Sequence, residues 1–523
     1  MRQQEPSATG VSYTKSPPCC YAKRLQMPDL NSSALCTSGS TNTVGPLPCL
    51  YAGRPQNINT LPWEILSFIF THSVQAHDNP MARMLSPLVL SHVCSLWRHV
   101  STSTAELWAT LALGSSILTT ASLSRSMTFL RRSKSRPVEL FLDFRDPCWA
   151  WEEEINGFAS EEMKNILDIL LPEVYRWKSV TLLTDTWAPI HTFLTLTSSV
   201  TSAPMLTDVS LLRCNEYLVS KGQAFLPANL KEPVPLFGGR LTRLRNVTLS
   251  GVHVEWASSC LRNLETLELK YHAHEVSPHL HEFLRILGEC PTLKSLSLVG
   301  WGTRLDMGHG APSSGVPVSL PCLKKLEIGF VDIDHTVKVL TFLHFPKLED
   351  LFLQDVAASL GSPNPVCCDS LLDYLANRRV LREVRGIQLH HIHASYASLA
   401  KFFSSTPHLS SLTLHKSCGD VLEVLKTRQT ETGLICPRLK DLHCRNMLVH
   451  PVLECILDRM RLTSELESVV VDISGSESVS VPLIVYEAFA AMGTELRVVV
   501  EEVEEERGSR RGSFASVLSD GVE

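Results

Sequence analysis

The sequence has no apolar run close to the ~18 residues of a membrane-spanning helix, and its first residues have no signal-peptide core. It also has no basic excess, because 48 Lys and Arg residues are set against 54 Asp and Glu residues. A net charge of −6 creates no global positive field that would favour nucleic acid. Its 16 cysteines, without a secretory leader, favour reduced thiols. We therefore expect no membrane segment, no nucleic-acid partner, and a location in the cytoplasm or nucleus.

The sequence also lacks the short motifs that carry catalysis, such as a Gly-rich phosphate loop, a G-x-S-x-G elbow or an H-E-x-x-H helix. Histidines cluster over residues 272–281 and 390–393, but without the closely spaced cysteine pairs of structural zinc sites. Cys290 and Cys436 occupy a position that holds Leu or Phe in other copies of a repeat, which indicates packing. We therefore predict that the chain is not an enzyme and has no cofactor and no metal site.

The composition changes along the chain in a way that predicts separate regions. The first ~57 residues are rich in Ser, Thr, Pro, Gln and Asn, which is typical of disorder. The last ~20 carry runs of acidic and then basic residues, which are typical of a solvated end. Residues 308–315 are rich in Gly, Ser and Pro and predict a flexible excursion. We predict a disordered arm over 1–57, a helical domain over 58–113, a repeat array over 114–500 and a disordered charged tail over 501–523.

Residues 58–113 begin with the apolar spacing of a short helix. Pro62 suits a first helical turn, because its missing N–H would be unbonded there in any case. Leu61, Ile65 and Ile69 then recur at a four-residue step, which places them on one helical face. The pattern predicts an amphipathic helix at this point.

A second amphipathic helix is predicted over residues 86–100, after a polar break at 77–80, and a short third segment covers 104–108. About 55 residues in short helices make a marginal core, and two faces this apolar exceed what such a unit can hide internally. An uncovered apolar patch of this kind is usually a docking site. The alternative is that the surplus apolar surface packs against the rest of the same chain.

The ordered set of motifs in this region resembles an F-box, in the F-box-like form abundant in mushroom-forming fungi. The motifs are Leu61-Pro62-x-Glu64-Ile65-Leu66-x-x-Ile69-Phe70, then Val93-Cys94-x-x-Trp97-Arg98, then Leu107-Trp108. The resemblance implies binding to a Skp-type adaptor and, through it, to a cullin–RING ubiquitin ligase. One departure is that residues 71–86 form a longer connection than a compact F-box has. The adaptor-binding residues that we expect are Leu61, Pro62, Ile65, Leu66, Ile69, Val93, Trp97 and Trp108.

After residue 137 the sequence repeats one pattern, in which apolar residues occupy the first, fourth and sixth positions. Middle positions are separated by 20 residues (Val247 to Leu267) up to 38 (Val209 to Val247), near the spacing of leucine-rich repeats. Further strands are expected at 138–142 and 496–500. The eleven copies lie at residues 177–182, 206–211, 244–249, 264–269, 293–298, 323–328, 348–353, 384–389, 409–414, 439–444 and 466–471.

Helical spacing lies between these strands, for example over residues 280–287, 371–375 and 452–460. Strand and helix in alternation, without hairpin signals, predict a parallel ladder with helices on the other side. The units cannot bury their apolar faces alone and must stack. The array resembles leucine-rich repeat proteins, except that the usual Asn ladder is absent, so we expect an irregular α/β horseshoe with variable turns.

The outward strand positions become larger towards the C-terminal end of the array. Side chains on neighbouring strands lie roughly 4.8 Å apart, so they would form a continuous patch. Aromatic and Arg side chains are the usual anchors of protein interfaces. The residues that we predict to bind a protein target are Phe352, Gln354, His390, His415, His443 and Arg445.

These observations favour a substrate receptor of a cullin–RING ligase, with adaptor-binding helices followed by a target-binding solenoid. The alternative is a solenoid scaffold whose helices only cap the first repeat and recruit no ligase.

Overall fold

The computed structural model describes residues 58–114, 120–146, 157–200, 202–213, 224–305, 317–359, 366–378, 380–426, 428–429, 433–462, 466–474 and 495–501. The predicted arm over 1–57, the segment at 308–315 and the tail after residue 501 lie outside these ranges. The chain divides into two compact units, Met1–Thr60 and Leu61–Glu523. Only a short 3-10 helix, Ile58–Thr60, is described in the first unit.

The second unit is an α/β structure built on one fourteen-stranded sheet whose strands follow their order in the chain and pair in parallel. The strands of this sheet are β1 Thr110–Gly114, β2 Val138–Asp143, β3 Trp177–Thr184, β4 Asp208–Arg213, β5 Asn246–Ser250, β6 Thr266–His272, β7 Ser295–Gly300, β9 Lys325–Phe330, β11 Asp350–Asp355, β12 Gly386–His390, β13 Ser411–His415, β16 Asp441–Arg445, β17 Ser468–Ser474 and β18 Glu495–Glu501. Two small ladders pair β8 Val318–Ser319 with β10 Leu343–His344 and β14 Arg428–Gln429 with β15 Gly433–Leu434.

Helices separate most of the strands. The α-helices are α1 Trp63–Gln75, α2 Pro80–Val93, α3 Ser95–Ser103, α4 Thr120–Arg132, α5 Ser160–Leu170, α6 Trp187–Ser198, α7 Leu280–Gly288, α8 Ile333–Thr341, α9 Val356–Ser359, α10 Asp369–Asn377, α11 Tyr396–Ser404, α12 Asp420–Lys426 and α13 Val449–Leu462. Short 3-10 helices cover Ala105–Trp108, Leu171–Arg176, Ala228–Leu230, Leu236–Gly239 and His274–Val276. The helices predicted at 280–287, 371–375 and 452–460 are confirmed as α7, α10 and α13.

All eleven predicted repeat strands are confirmed, and they join the sheet in the register that the pattern implies. Val209 pairs with Val180 on one side and with Val247 on the other, and Leu296 pairs with Leu267 and Leu326. The strands expected at 138–142 and 496–500 are also present, as β2 and β18. The sequence reading missed β1, which lies inside the range predicted as helical.

The sheet holds together because each strand buries its apolar residues in a shared core. Leu296 and Leu326 are almost completely buried, and one continuous core cluster extends from Leu66 to Leu496. Burial of a Leu or Val side chain contributes roughly 1.5–3 kcal/mol. A single repeat cannot gain this stabilisation alone, because its apolar side chains pack against those of the neighbouring repeats.

The turns after the strands are more regular than expected. Two positions beyond the last apolar pattern residue, six copies place a residue with positive φ: Gly251, Tyr271, Gly300, His391, Lys416 and Asn446. Four of their N–H groups donate to a carbonyl oxygen of the next strand, as from Lys416 to Arg445 at 3.1 Å. A left-handed residue therefore supplies the common turn in these copies, where the sequence has no Asn ladder.

The single helix predicted over 86–100 is wrong, because the chain forms two helices that are interrupted at Cys94. Cys94 is extended, with φ −158° and ψ 174°, and its Sγ accepts a hydrogen bond from the N–H of Trp97. The long connection expected over 71–86 is also wrong, since only residues 76–79 separate α1 from α2. The Asn79 side chain accepts a 2.8 Å bond from the N–H of Met81, and Pro80 follows it at the first helical position.

A stability test follows from Arg176, whose buried guanidinium donates to the carbonyl oxygens of Leu130 at 2.8 Å and Arg136 at 3.1 Å, and also pairs with Glu173 at 2.7 Å. Arg176→Met removes these buried hydrogen bonds and the 2.7 Å bond from Arg176 to the Ser133 hydroxyl, so we expect a loss of about 3 kcal/mol in the free energy of unfolding. The control is Lys178→Met, which removes an exposed pair with Glu139 and should cost less than about 1 kcal/mol. Equal losses in urea unfolding would contradict the prediction.

Candidate functional site

Helix α1 has two apolar faces, of which one is covered by the chain itself. Leu66, Phe70 and Val74 follow a four-residue step and are buried in the continuous core. Helix α2 adds Met84, whose Sδ accepts a 3.1 Å hydrogen bond from the N–H of Ala112 in β1. The helices thereby cover the first strand of the sheet, which is itself buried along most of its length. This covering corresponds to a cap of the repeat array.

Helices α1 and α2 also leave large apolar side chains in solvent, most of them on the faces opposite the core, and Trp63 is exposed in the first turn of α1. Phe68 is 62% exposed, Val89 is 66% exposed and Val93 is 56% exposed. We call this set the outer helical face, and it comprises Trp63, Ile65, Phe68, Ile69, Leu85, Val89 and Val93. Scattered exposed apolar residues are normal, but seven within two packed helices are more than a solvated surface needs.

Four of the eight predicted adaptor-binding residues are exposed. Ile65, Ile69 and Val93 belong to the outer helical face, and Pro62 is exposed directly before α1. Leu61 and Trp97 are half-buried against the core, and the Trp97 ring lies 4.7 Å from the Phe70 ring. That these exposed residues bind an adaptor stays a prediction.

Leu66 and Trp108 need a correction, because both are buried in the core of this chain and cannot touch a partner in this conformation. Leu66 follows Ile65 by one residue and so turns to the inner face of α1. The indole N–H of Trp108 donates to the carbonyl of Ser101 at 2.8 Å, and the Phe129 ring packs 4.8 Å away. Both side chains therefore pack in the core and not on the exposed surface of the helices.

Sequence reasoning missed the other exposed members of the outer helical face, which are Trp63, Phe68, Leu85 and Val89. The four-residue step from Leu61 omits Phe68, although Phe68 lies three residues after Ile65 and so on the same helical face, and Trp63 lies outside that stripe. In α2 the missing signal was the helix start at Pro80, which the sequence reading placed at residue 86.

The predicted target-binding residues lie on neighbouring strands of the sheet. His390 in β12 pairs in register with Gln354 in β11 and with His415 in β13, and His415 pairs with Arg445 in β16. The Phe352 ring lies 4.4 Å from the His390 ring, which lies 5.0 Å from the His415 ring. These rings are half-buried and form one row across three strands.

Gln354 is the exception, because its side chain is buried and donates to the Ser359 hydroxyl at 2.9 Å. Its role as a surface contact is therefore wrong in this conformation. Helix α9 follows β11 directly and brings Ser359 over the strand, which the strand pattern could not predict.

Charge in this row is balanced within the chain. Asp472 in β17 accepts hydrogen bonds from His443 at 2.7 Å and from the Arg445 guanidinium at 3.1 Å. Burial and the neighbouring His415 lower the pKa of His390 to about 3. Burial likewise lowers the pKa of His391 to about 4. His390 and His391 are therefore uncharged at physiological pH, and the charge of Arg445 is balanced by Asp472, a member of the row that the sequence reading missed.

The first histidine cluster contains one residue with a packing role, His272, whereas His281 of the same cluster is exposed. His272 is buried, with its Nε2 2.7 Å from the Val252 carbonyl, and burial lowers its pKa to about 4. Within the described ranges, no three His, Cys, Asp or Glu side chains come together as metal ligands. Burial also raises the pKa of the Cys436 thiol to about 11, which disfavours the reactive thiolate. The helices that the structure describes include none that is long and apolar enough to span a bilayer.

A pH dependence follows from His390 and His391, whose pKa values lie below the ordinary 6.5. Below pH 6.5 the unfolded chain binds more protons than the native chain. The contribution of these two histidines to the free energy of unfolding is therefore fully present above pH 6.5 and decreases towards pH 4. His390→Phe removes one such group and should reduce the loss of thermal midpoint between pH 7 and pH 5. The control is His344→Phe at an exposed position, and an equal effect of both variants would refute the prediction.

The comparisons with known proteins leave the family open. No protein-family model matches the chain, and no curated protein matches it. What the chain does is therefore inferred from its own two surfaces, the outer helical face and the ring row of the sheet.

Proposed function

We propose that this chain is the substrate-receptor subunit of a cullin–RING ubiquitin ligase. In this proposal the F-box-like helices α1–α3 bind a Skp-type adaptor, and the leucine-rich-repeat-like sheet binds a target protein. The observation that carries it is the outer helical face, because α1 and α2 already have a complete inner packing face. Their outward apolar side chains are not needed for the fold, and a protein surface is the natural cover for them.

In this proposal the chain acts by bringing its target close to an enzyme, and it carries out no chemical step itself. A receptor that holds a target near a charged ubiquitin-conjugating enzyme raises the effective concentration of the target lysine. One continuous core joins the helices to the sheet, so the two surfaces are held in one compact unit. No cofactor or metal is required, and the role belongs to the cytoplasm or nucleus.

A second candidate is a repeat scaffold whose helices serve only as a cap. The burial of β1 under α2, with the Met84 contact to Ala112, favours this candidate. It predicts no affinity for a Skp-type adaptor, and it leaves the outer helical face without an occupant.

The first test measures adaptor binding to the purified full chain by biolayer interferometry. Substitution of two exposed residues, Ile65→Ala with Val93→Ala, should weaken binding at least about tenfold, since each truncated anchor costs roughly 1–2 kcal/mol. The matched control is Met127→Ala with Leu448→Ala, which removes two apolar side chains that are at least as exposed elsewhere. Adaptor binding that is absent from the wild type, or equal in both variants, favours the scaffold.

The second test addresses the ring row of the sheet. A variant with Phe352→Ala, His415→Ala and Arg445→Ala should lose the proteins that co-purify in an adaptor-dependent manner, while its affinity for the adaptor is unchanged. Quantitative mass spectrometry of the captured proteins measures this, with Lys178→Ala at an exposed position of the same sheet as the control. Capture that is intact in the triple variant would refute the assignment of this row to the target.

A further inference from the structure

The outward face of the sheet carries an ion cluster in which two carboxylates share one ammonium group. Lys270 Nζ lies 3.3 Å from Glu268 in β6 and 3.0 Å from Glu327 in β9. It is the one ion-pair partner that the described part of the chain supplies to either carboxylate, so the cluster has a net charge of −1. The side chains are only 18–29% exposed, which weakens solvent screening of that charge.

This cluster differs from the other ion pairs along the sheet. Glu265 pairs with Lys294 at 2.6 Å and Glu349 pairs with Lys324 at 2.9 Å, each with one partner of opposite charge. Those side chains are more exposed than the ones of the cluster. Burial alone would lower the pKa of Lys270, but the Glu327 and Glu268 carboxylates outweigh it and raise the pKa. Lys270 is therefore charged, and the carboxylates have acceptor capacity left.

A buried hydroxyl lies between the two carboxylates. Ser297 in β7 pairs in register with Glu268 on one side and with Glu327 on the other, so all three side chains point to the same face. Ser297 is 2% exposed, and its Oγ has no hydrogen-bond partner among the described residues. A buried polar atom without a partner costs roughly 1–3 kcal/mol, and such an atom commonly marks a place where a ligand donates or accepts.

An aromatic ring completes the surroundings on the next strand. Phe352 in β11 pairs in register with Glu327, and its ring is half-buried and begins the ring row described above. A cation held at Glu327 can reach the ring face, and this contact adds about 0.5–2 kcal/mol. An extended segment that crosses from β6 to β11 spans three strand steps, or about 14 Å, which corresponds to about four residues.

We propose that Glu268, Ser297, Glu327 and Phe352 form a binding site for one basic side chain of the target segment, with arginine preferred over lysine. This inference rests on the proposed function in one respect, which is that this face of the sheet binds the target. The guanidinium fork suits two carboxylates better than a single ammonium does, and it stacks on an aromatic ring. The incoming charge neutralises the cluster, and the adjoining ring row accepts the uncharged residues that follow.

The test selects random dodecapeptides displayed on phage against the full chain. We expect Arg and Lys to be enriched at one position of the selected peptides on the wild type. Glu268→Gln removes the charge excess, leaves Lys270 paired with Glu327, and should abolish this enrichment. Glu265→Gln makes the same charge change in an exposed pair of the sheet and should keep it.

A synthetic form of the best selected peptide then gives the affinity by fluorescence anisotropy. Replacement of its basic residue by Gln should weaken binding at least about fivefold to the wild type and leave binding to the Glu268→Gln chain unchanged. The proposal is overturned if no peptide is selected, if basic residues are not enriched, or if the enrichment survives Glu268→Gln.

Adaptor binding by the same chains separates this inference from the proposed function. Absence of the basic preference on the wild-type chain, with adaptor binding intact, rejects the site alone. A basic preference that depends on Glu268, in a chain that binds no adaptor, rejects the ligase role and retains the site.

Discussion

The register of the parallel strands is the constraint on which the rest of this structure depends. Each strand places its pattern residues beside those of its neighbours, as Leu296 does between Leu267 and Leu326. A slip by one residue would turn the apolar set of a strand to the outward face and the polar set into the core. The core can therefore be continuous from α1 to β18 only if this register is kept in every repeat.

The same register arranges the outward face. Residues of successive repeats stand side by side there, so each outward position becomes a row across the sheet. One row begins with Glu268, Ser297 and Glu327 and continues with Phe352. The adjacent row joins His390, His415 and Arg445, and Asp472 neutralises its end. The face thus changes from a negative cluster to a row of rings along the order of the strands.

The helical segment has two physical tasks. Its inner residues cover β1, which would otherwise present an open strand edge to solvent and to other chains. Its outer residues, such as Phe68 and Val89, contribute nothing to that cover and are exposed. A cap that served stability alone would carry polar residues there. This excess of apolar surface, and not the presence of helices as such, supports a second protein as a partner.

Local pattern was sufficient for the strands, their parallel order and most helices tested, because alternation and helical spacing report which residues share a face. It was not sufficient for the break at Cys94, which depends on a capping hydrogen bond to the Cys94 Sγ, or for β1, which depends on its pairing with β2. It also failed for Gln354, which donates to Ser359 in the helix that follows its strand, and for Trp108, which packs against the Phe129 ring of α4. The sequence by itself determined the repeat and its register. Only the tertiary structure decided which apolar face of α1 is covered and which hydroxyl is buried between two carboxylates, because both depend on contacts between separate repeats.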